Sequence, residues 1–325
     1  MLNAAIVGLG WWGRELVRSV QRSSDLIRFA RGVTLEPEQA RDFAAEMKLA
    51  IGTSYEEVLA DPHIDAVVLA TPHTKHRAQV EAAAAASKHV FCEKPFALNK
   101  ADAESAVSAC RRAGVALGVG HNRRLWPSIK KLRELVDQGA FGTIMHLEGN
   151  YSHDWLANQP ADHWRSAAEE TRAGGMTGMG IHLLDSYSFL VGPMRRISAL
   201  STRRVLPLTT GDTTAALIEF RDGATATIAT TLKTPYVWRL AVYGSELWAE
   251  NTSETGLAIR RSSGEPEVLS LPPANHIGAN LESFAAAALG RGKFHIDDQG
   301  ILHTVAALEA TFRSAERNGA WQEVA

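Results

Sequence analysis

The chemistry-bearing residues of this 325-residue chain begin with Gly8-Leu9-Gly10-Trp11-Trp12-Gly13, directly after the apolar run Ala4–Val7. A first glycine permits a tight turn, a second lets backbone approach a pyrophosphate, and a third lets the following helix pack closely on its strand. The helix that starts there offers free N–H groups and the positive end of its dipole to phosphates. Alone the pattern is permissive; its place between a strand and a helix is the context the physics requires. It makes Gly8, Gly10, Trp11, Trp12 and Gly13 candidate dinucleotide contacts. The residue that reads the ribose falls ~20 positions further on, at the end of the next strand, near Val33 and Thr34. An acidic side chain there binds a 2′-hydroxyl and repels a 2′-phosphate, whereas the Thr34 hydroxyl can hydrogen-bond a phosphate. The reading favours NADP over NAD, and Glu36, two residues on, keeps NAD open.

Two further groups could move protons. Cys92-Glu93-Lys94-Pro95 closes the fourth apolar run, at the strand edge where ligands of open α/β sheets bind, and Lys94 can donate a proton or a hydrogen bond to a substrate oxygen. Gly180-Ile181-His182-Leu183-Leu184-Asp185 opens a helix. His182 and Asp185, three apart, can share one face, so the carboxylate can orient the imidazole. Taken singly, a solvated loop lysine is the more frequent reading of Lys94, and a packed or capping histidine accounts for His182 equally well. Arg123, Arg124 and Trp126, and then Tyr151, His153, Trp155, His163, Trp164 and Arg165, supply aromatic faces for rings and guanidinium groups for carboxylates. They favour a cyclic substrate, with an acid group as an option. About half of them are equally at home in a core, Trp126 before Pro127 first among these. His153, His163 and His182 with Asp154 and Asp162 lack compact ligand spacing, so no metal is expected.

The elements that must hold these residues follow from periodicity. Apolar runs at Ala4–Val7, Ile27–Val33, Ala66–Ala70, His89–Cys92 and Val115–Val119 alternate with helical spacing at 14–22, 38–47, 75–86 and 101–112. That alternation implies a parallel, doubly wound sheet covered on both faces. After about Gly120 the pattern changes. A helix at 128–138, a strand at 144–152 and a glycine-rich stretch from Gly174 into a helix ending near Leu190 precede three hairpins. The clearest hairpin turns at Asp222-Gly223. Helices at 279–289 and 299–318 close the chain. The fold class is therefore α/β: a Rossmann domain over 1–121, then an α/β domain over 122–325 built on an open, mainly antiparallel sheet. A net charge of −2 argues against a nucleic-acid partner, and Cys92 and Cys110 cannot build a disulfide framework. With no signal peptide or membrane span expected, the cytoplasm is the expected compartment.

The order and spacing of these motifs resemble the Gfo/Idh/MocA oxidoreductase family over nearly the whole chain. The resemblance rests on Gly8–Gly13, Ala70-Thr71-Pro72-His73-Thr74-Lys75-His76, Glu93-Lys94-Pro95, Gly120-His121-Asn122-Arg123-Arg124 and Gly174–Asp185. It implies NAD or NADP held by the glycine loop, by Thr71, Pro72, His73 and His76, and by Glu93 and Lys94. It implies that Lys94 and His182 face the nicotinamide and share proton transfer while hydride moves to or from a carbinol carbon. Arg123, Tyr151, His153, Trp164, His182 and Asp185 are then the substrate contacts. The expected reaction is oxidation of a secondary alcohol, or its reverse, on a cyclic sugar, polyol or hydroxy acid by a homodimer or homotetramer. Alternatives are a redox-assisted lyase or glycosidase that retains NAD, and a non-catalytic NAD(P)-binding sensor. One departure stands out: the family usually carries an aspartate four residues before the histidine, where this chain has Gly178.

Overall fold

The computed structural model describes residues 1–160 and 162–325. The chain opens with β1 (Leu2–Val7), α1 (Trp11–Val20), β2 (Ile27–Val33), α2 (Pro37–Met47), β3 (Ala50–Gly52) and α3 (Tyr55–Ala60). It continues through β4 (Ala66–Leu69), α4 (His76–Ala85), β5 (His89–Cys92), α5 (Lys100–Ala113) and β6 (Leu117–Val119). The six strands form one parallel sheet in the order β3-β2-β1-β4-β5-β6. Every residue of β4 is buried, as continuous apolar runs with helices on both faces must be. The strand order reverses between β1 and β4, so their C-terminal ends, at Gly8 and Thr71, mark the point where such sheets bind ligands.

Two elements go beyond the sequence expectation. β3 has three residues and α3 six, too short for a periodicity window to resolve. A local signal for α3 does exist. Ser54 accepts the Glu57 N–H at 3.1 Å, and Ser54-x-x-Glu57 is a capping-box pattern. The added strand corrects the count at Lys94, which follows the fifth strand and not the fourth.

Next come α6 (Pro127–Asp137), β7 (Ile144–Ser152), α7 (Gly180–Leu190), β8 (Met194–Thr202), β9 (Thr213–Phe220) and β10 (Thr225–Thr231). After them lie β11 (Val237–Gly244), β12 (Leu247–Asn251), β13 (Gly256–Arg261), β14 (Glu267–Ser270), α8 (His276–Ala288), α9 (Asp298–Glu316) and β15 (Gln322–Glu323). The second sheet has nine strands, in the order β14-β13-β12-β11-β7-β10-β9-β8-β15. Only β7 and β10 run parallel among its neighbouring pairs. All three expected hairpins form, and the first turns through Gly223 at φ +96°. Ala216 and Ile218 pair with Ile228 and Ala226 on a buried face, while Leu217 and Thr227 pair on an exposed one. Helix α7 lies against the buried face. A Cβ on Gly149 would stand 2.5 Å from the Tyr187 hydroxyl and 2.9 Å from Leu183, so glycine is what lets helix and sheet approach.

Residues 1–122 and 275–302 form one compact unit, and 123–274 and 303–325 another. The expected first domain ended at residue 121. Residues 275–302, expected in the second domain, belong to the first unit instead: Leu281, Phe284 and Ala285 of α8 share one core with Ile6, Val68 and Phe91. Among the described residues, no helix is long and apolar enough to cross a membrane.

Candidate active site

In the first unit the site is built around the turn from β1 into α1. Gly8 has φ +101° and donates its N–H to Val33 O, and a Cβ there would sit 2.4 Å from Ala70 O. A Cβ on Gly13 would sit 1.9 Å from Gly8 O. Both positions are glycine because the turn and the helix-to-strand approach demand it. Gly10 differs: it is extended backbone, and a Cβ there would meet nothing within 4 Å. As N-cap of α1 it brings no side-chain cap to the first-turn N–H groups. The fold does not require a glycine there, but a pyrophosphate seated on those N–H groups would. The loop therefore fits a dinucleotide. Trp11 is 69% exposed at its edge, and Trp12 packs against the core.

Thr34 follows β2, as expected. Its Oγ1 accepts the Glu36 N–H at 3.2 Å, and the Glu36 carboxylate accepts from Gln39 Nε2 at 3.1 Å. The Glu36 carboxylate is thus turned to the first turn of α2, and the Thr34 hydroxyl proton remains for an outside acceptor.

The Thr71-Pro72 turn leaves the end of β4. Buried His76 braces it: one ring nitrogen lies 3.1 Å from Thr71 O and the other 2.8 Å from Pro95 O. The imidazole thereby ties this turn to the segment carrying Lys94. Buried His73 stands edge-on to His76, with ring centres 5.9 Å apart. The carboxylate of buried Glu93 accepts the Lys94 N–H at 3.2 Å and lies so close to Gly120 that a Cβ there would meet it at 2.5 Å. The Lys94–Pro95 peptide is cis.

In the second unit, alternation along β7 sends Tyr151 to the face covered by α7. Its ring centre is 5.9 Å from that of His182, 5.4 Å from His153 and 5.3 Å from Trp238. His182 is buried in the first turn of α7. The Arg123 guanidinium stands 4.2 to 4.4 Å from the ring centres of Trp126, Tyr151 and Trp238, close enough for a cation–π cage. Burial pushes the Tyr151 phenol above its ordinary value, and the Arg123 cation pulls the other way. Trp164 is stacked on His163, with the Arg165 guanidinium 4.1 Å from its ring centre. Burial, with Arg165 next, lowers the His163 imidazole.

Asp185 has a partner that the sequence reading did not give it. It lies fully buried and receives three hydrogen bonds from Arg124, from Nε at 3.0 and 2.9 Å and from Nη2 at 2.7 Å. The fork matches both carboxylate oxygens, so the carboxylate has an arginine 61 residues away in sequence as a charge partner. Trp238 and Tyr236, both beside Tyr151, were missed. The alternation of β11 would have placed Trp238 on the same face as Leu240. Gly178 sits on the approach to α7, and unlike Gly175 and Gly180 it has open space where a Cβ would stand. The carboxylate absent there is not excluded by packing.

Comparison with known proteins adds the last observations. Residues 2–121 match a family model described as an oxidoreductase family with an NAD-binding Rossmann fold, and residues 129–250 match a GFO/IDH/MocA C-terminal domain. A 2,7-anhydro-N-acetylneuraminate hydratase of Escherichia coli is 31% identical over 59% of this chain and 50% of its own length. A myo-inositol 2-dehydrogenase of Thermotoga maritima is 29% identical over 81% of this chain and 80% of its own. The chain spans about half the length of several curated relatives it matches. The crystal structure of a putative NADPH-dependent oxidoreductase from Desulfitobacterium hafniense superposes with a TM-score of 0.91 at 22% identity, covering 99% of this chain and 97% of that one.

Proposed function

The chain belongs to the GFO/IDH/MocA oxidoreductase family, and from that premise we propose that it interconverts a secondary alcohol and a carbonyl on a cyclic sugar, polyol or hydroxy acid. The observation that carries this reading is the glycine loop, closed to a side chain at Gly8 and Gly13 and open at Gly10. Gly8, Gly10 and Gly13 with the α1 N-terminus would hold the pyrophosphate. Thr34 would donate to the ribose phosphate, and this favours NADP over NAD. Thr71, Pro72 and His73 would meet the cofactor directly, with His76 bracing them through backbone. When bound, the cofactor supplies or takes the hydride. Lys94 Nζ moves the proton at the substrate oxygen, and the His182 imidazole hydrogen-bonds the same developing alkoxide or carbonyl. Tyr151, His153 and Arg123 orient the ring, and Trp164 stands further along the same chain segment. The protein works in the cytoplasm on a small molecule, as a homodimer or homotetramer.

The test pairs binding with turnover. Tryptophan fluorescence, titrated with NADH and NADPH, reports the cofactor through Trp11 and Trp12. Turnover is then screened over cyclic polyols, aldoses and sugar acids. Lys94→Met and His182→Asn are expected to lower kcat by about 10²–10⁴, with cofactor affinity retained in the His182 variant. A protein that neither binds nor already carries either dinucleotide sinks the reading. A second reading, a hydratase or lyase that keeps its cofactor through a redox cycle, draws on the hydratase relative. It predicts product without net reduction of added NADP.

A further inference from the structure

The connection between β8 and β9, residues 203–212, has no regular structure, yet it is pinned at both ends. Asp212 is 2% exposed, and its carboxylate accepts the consecutive backbone N–H groups of Arg204 (3.0 and 3.1 Å), Val205 (2.6 Å) and Leu206 (2.7 Å). The Thr213 hydroxyl adds a bond at 3.1 Å. Burial pushes this carboxyl up, but the row of backbone donors outweighs it and holds the group below the usual carboxylate range. At the base of the loop, Ser201 Oγ donates to Thr210 O at 2.9 Å, and Thr214 Oγ1 donates to Ala173 O at 2.9 Å. The loop is thereby fixed to the glycine segment that runs into α7 and His182.

This clamp holds an apolar surface that a solvent loop does not need. Leu206 and Leu208 are half-buried and pack with Tyr151 against Leu156, Met179 and Leu232. Tyr151 is also the ring beside His182. One aromatic side chain thus joins the candidate catalytic histidine to a patch of leucines.

We propose that the 203–211 loop is a specificity wall, in which Leu206 and Leu208 contact an apolar face or substituent of the substrate beside Tyr151, while Asp212 is the positioning residue that fixes them. The inference rests on the reading of His182 as a group that acts on substrate. The substrate class it adds is a ring bearing an alkyl or acyl substituent, preferred over the fully hydroxylated parent. Such a substituent gains by leaving water for the leucines.

The test compares turnover of a free cyclic sugar with that of its O-methyl derivative, using the unaltered chain with NADP and with NAD. Leu206→Ser and Leu208→Ser are expected to lower the methylated-to-parent ratio of kcat/KM by roughly 10-fold, mainly through KM. Asp212→Ala is expected to lower the same ratio, and Asp212→Asn, which keeps one acceptor oxygen, to restore part of it. Loss of stability or of kcat for both substrates alike, with the ratio unchanged, marks Asp212 and the leucines as merely structural and overturns the proposal. Absence of turnover by the unaltered protein overturns the dehydrogenase reading and takes this one with it.

Discussion

At the residue scale, the most informative pair is Arg124 and Asp185, because each was legible as chemistry and their pairing was not. Type and spacing marked Lys94, His182 and the three loop glycines, since those signals are local. The Arg124–Asp185 bond joins residues 61 apart through tertiary packing, which no local period encodes. Both side chains are almost fully buried. Removing one partner leaves the other charge without compensation, at a cost of about 3–5 kcal/mol. Asp185→Leu is therefore expected to lower the urea midpoint sharply. The double variant Arg124→Met with Asp185→Leu should recover most of that loss, because an apolar pair of similar volume removes both desolvation penalties. Equal midpoints for the single and double variants would show that the ion pair is not the source of the effect.

At the element scale, the turn from β1 to α1 separates what folding needs from what binding needs. The sequence motif treats its three glycines alike. The structure gives Gly8 and Gly13 a steric reason and Gly10 none. Gly10→Val should melt close to the unaltered protein yet lose NADPH affinity by at least about 10-fold, since a side chain there blocks the approach of a pyrophosphate. Gly8→Val should lose stability outright, its Cβ falling on Ala70 O with φ at +101°. Thermal melts and tryptophan quenching separate the two, and tight cofactor binding by Gly10→Val would overturn the assignment of this loop. The longer elements were legible because strand and helix periods repeat within them. β3 and α3 were not, because neither completes two periods of its own geometry, and β15 is two residues long.

At the scale of the whole molecule, the exposed face of the nine-stranded sheet bears on assembly. Leu200 is 56% exposed and Leu217 43%, with small residues such as Ala215 and Ala229 between longer side chains. Nearby, Arg239 bridges Glu148 at 2.7 Å and Glu250 at 3.2 Å. If the proposed homo-oligomer forms through this face, Leu200→Glu with Leu217→Glu should convert it to a monomer in light scattering after gel filtration. An unchanged mass would place the contact elsewhere. The change from alternating to hairpin pattern was legible in the sequence. The return of residues 275–302 to the first unit was not, because an amphipathic helix states which face it buries and not which core receives it.

That return sets an order of events during synthesis. Strand β1 is made well before α8, so Leu281, Phe284 and Ala285 complete the Rossmann core only after the strands from β7 to β14 have been made. The six-stranded sheet is thus held incomplete while the second sheet is made, with part of its apolar face waiting on α8. A nascent chain stalled anywhere before residue 275 carries that face uncovered, and so is a natural client for a chaperone.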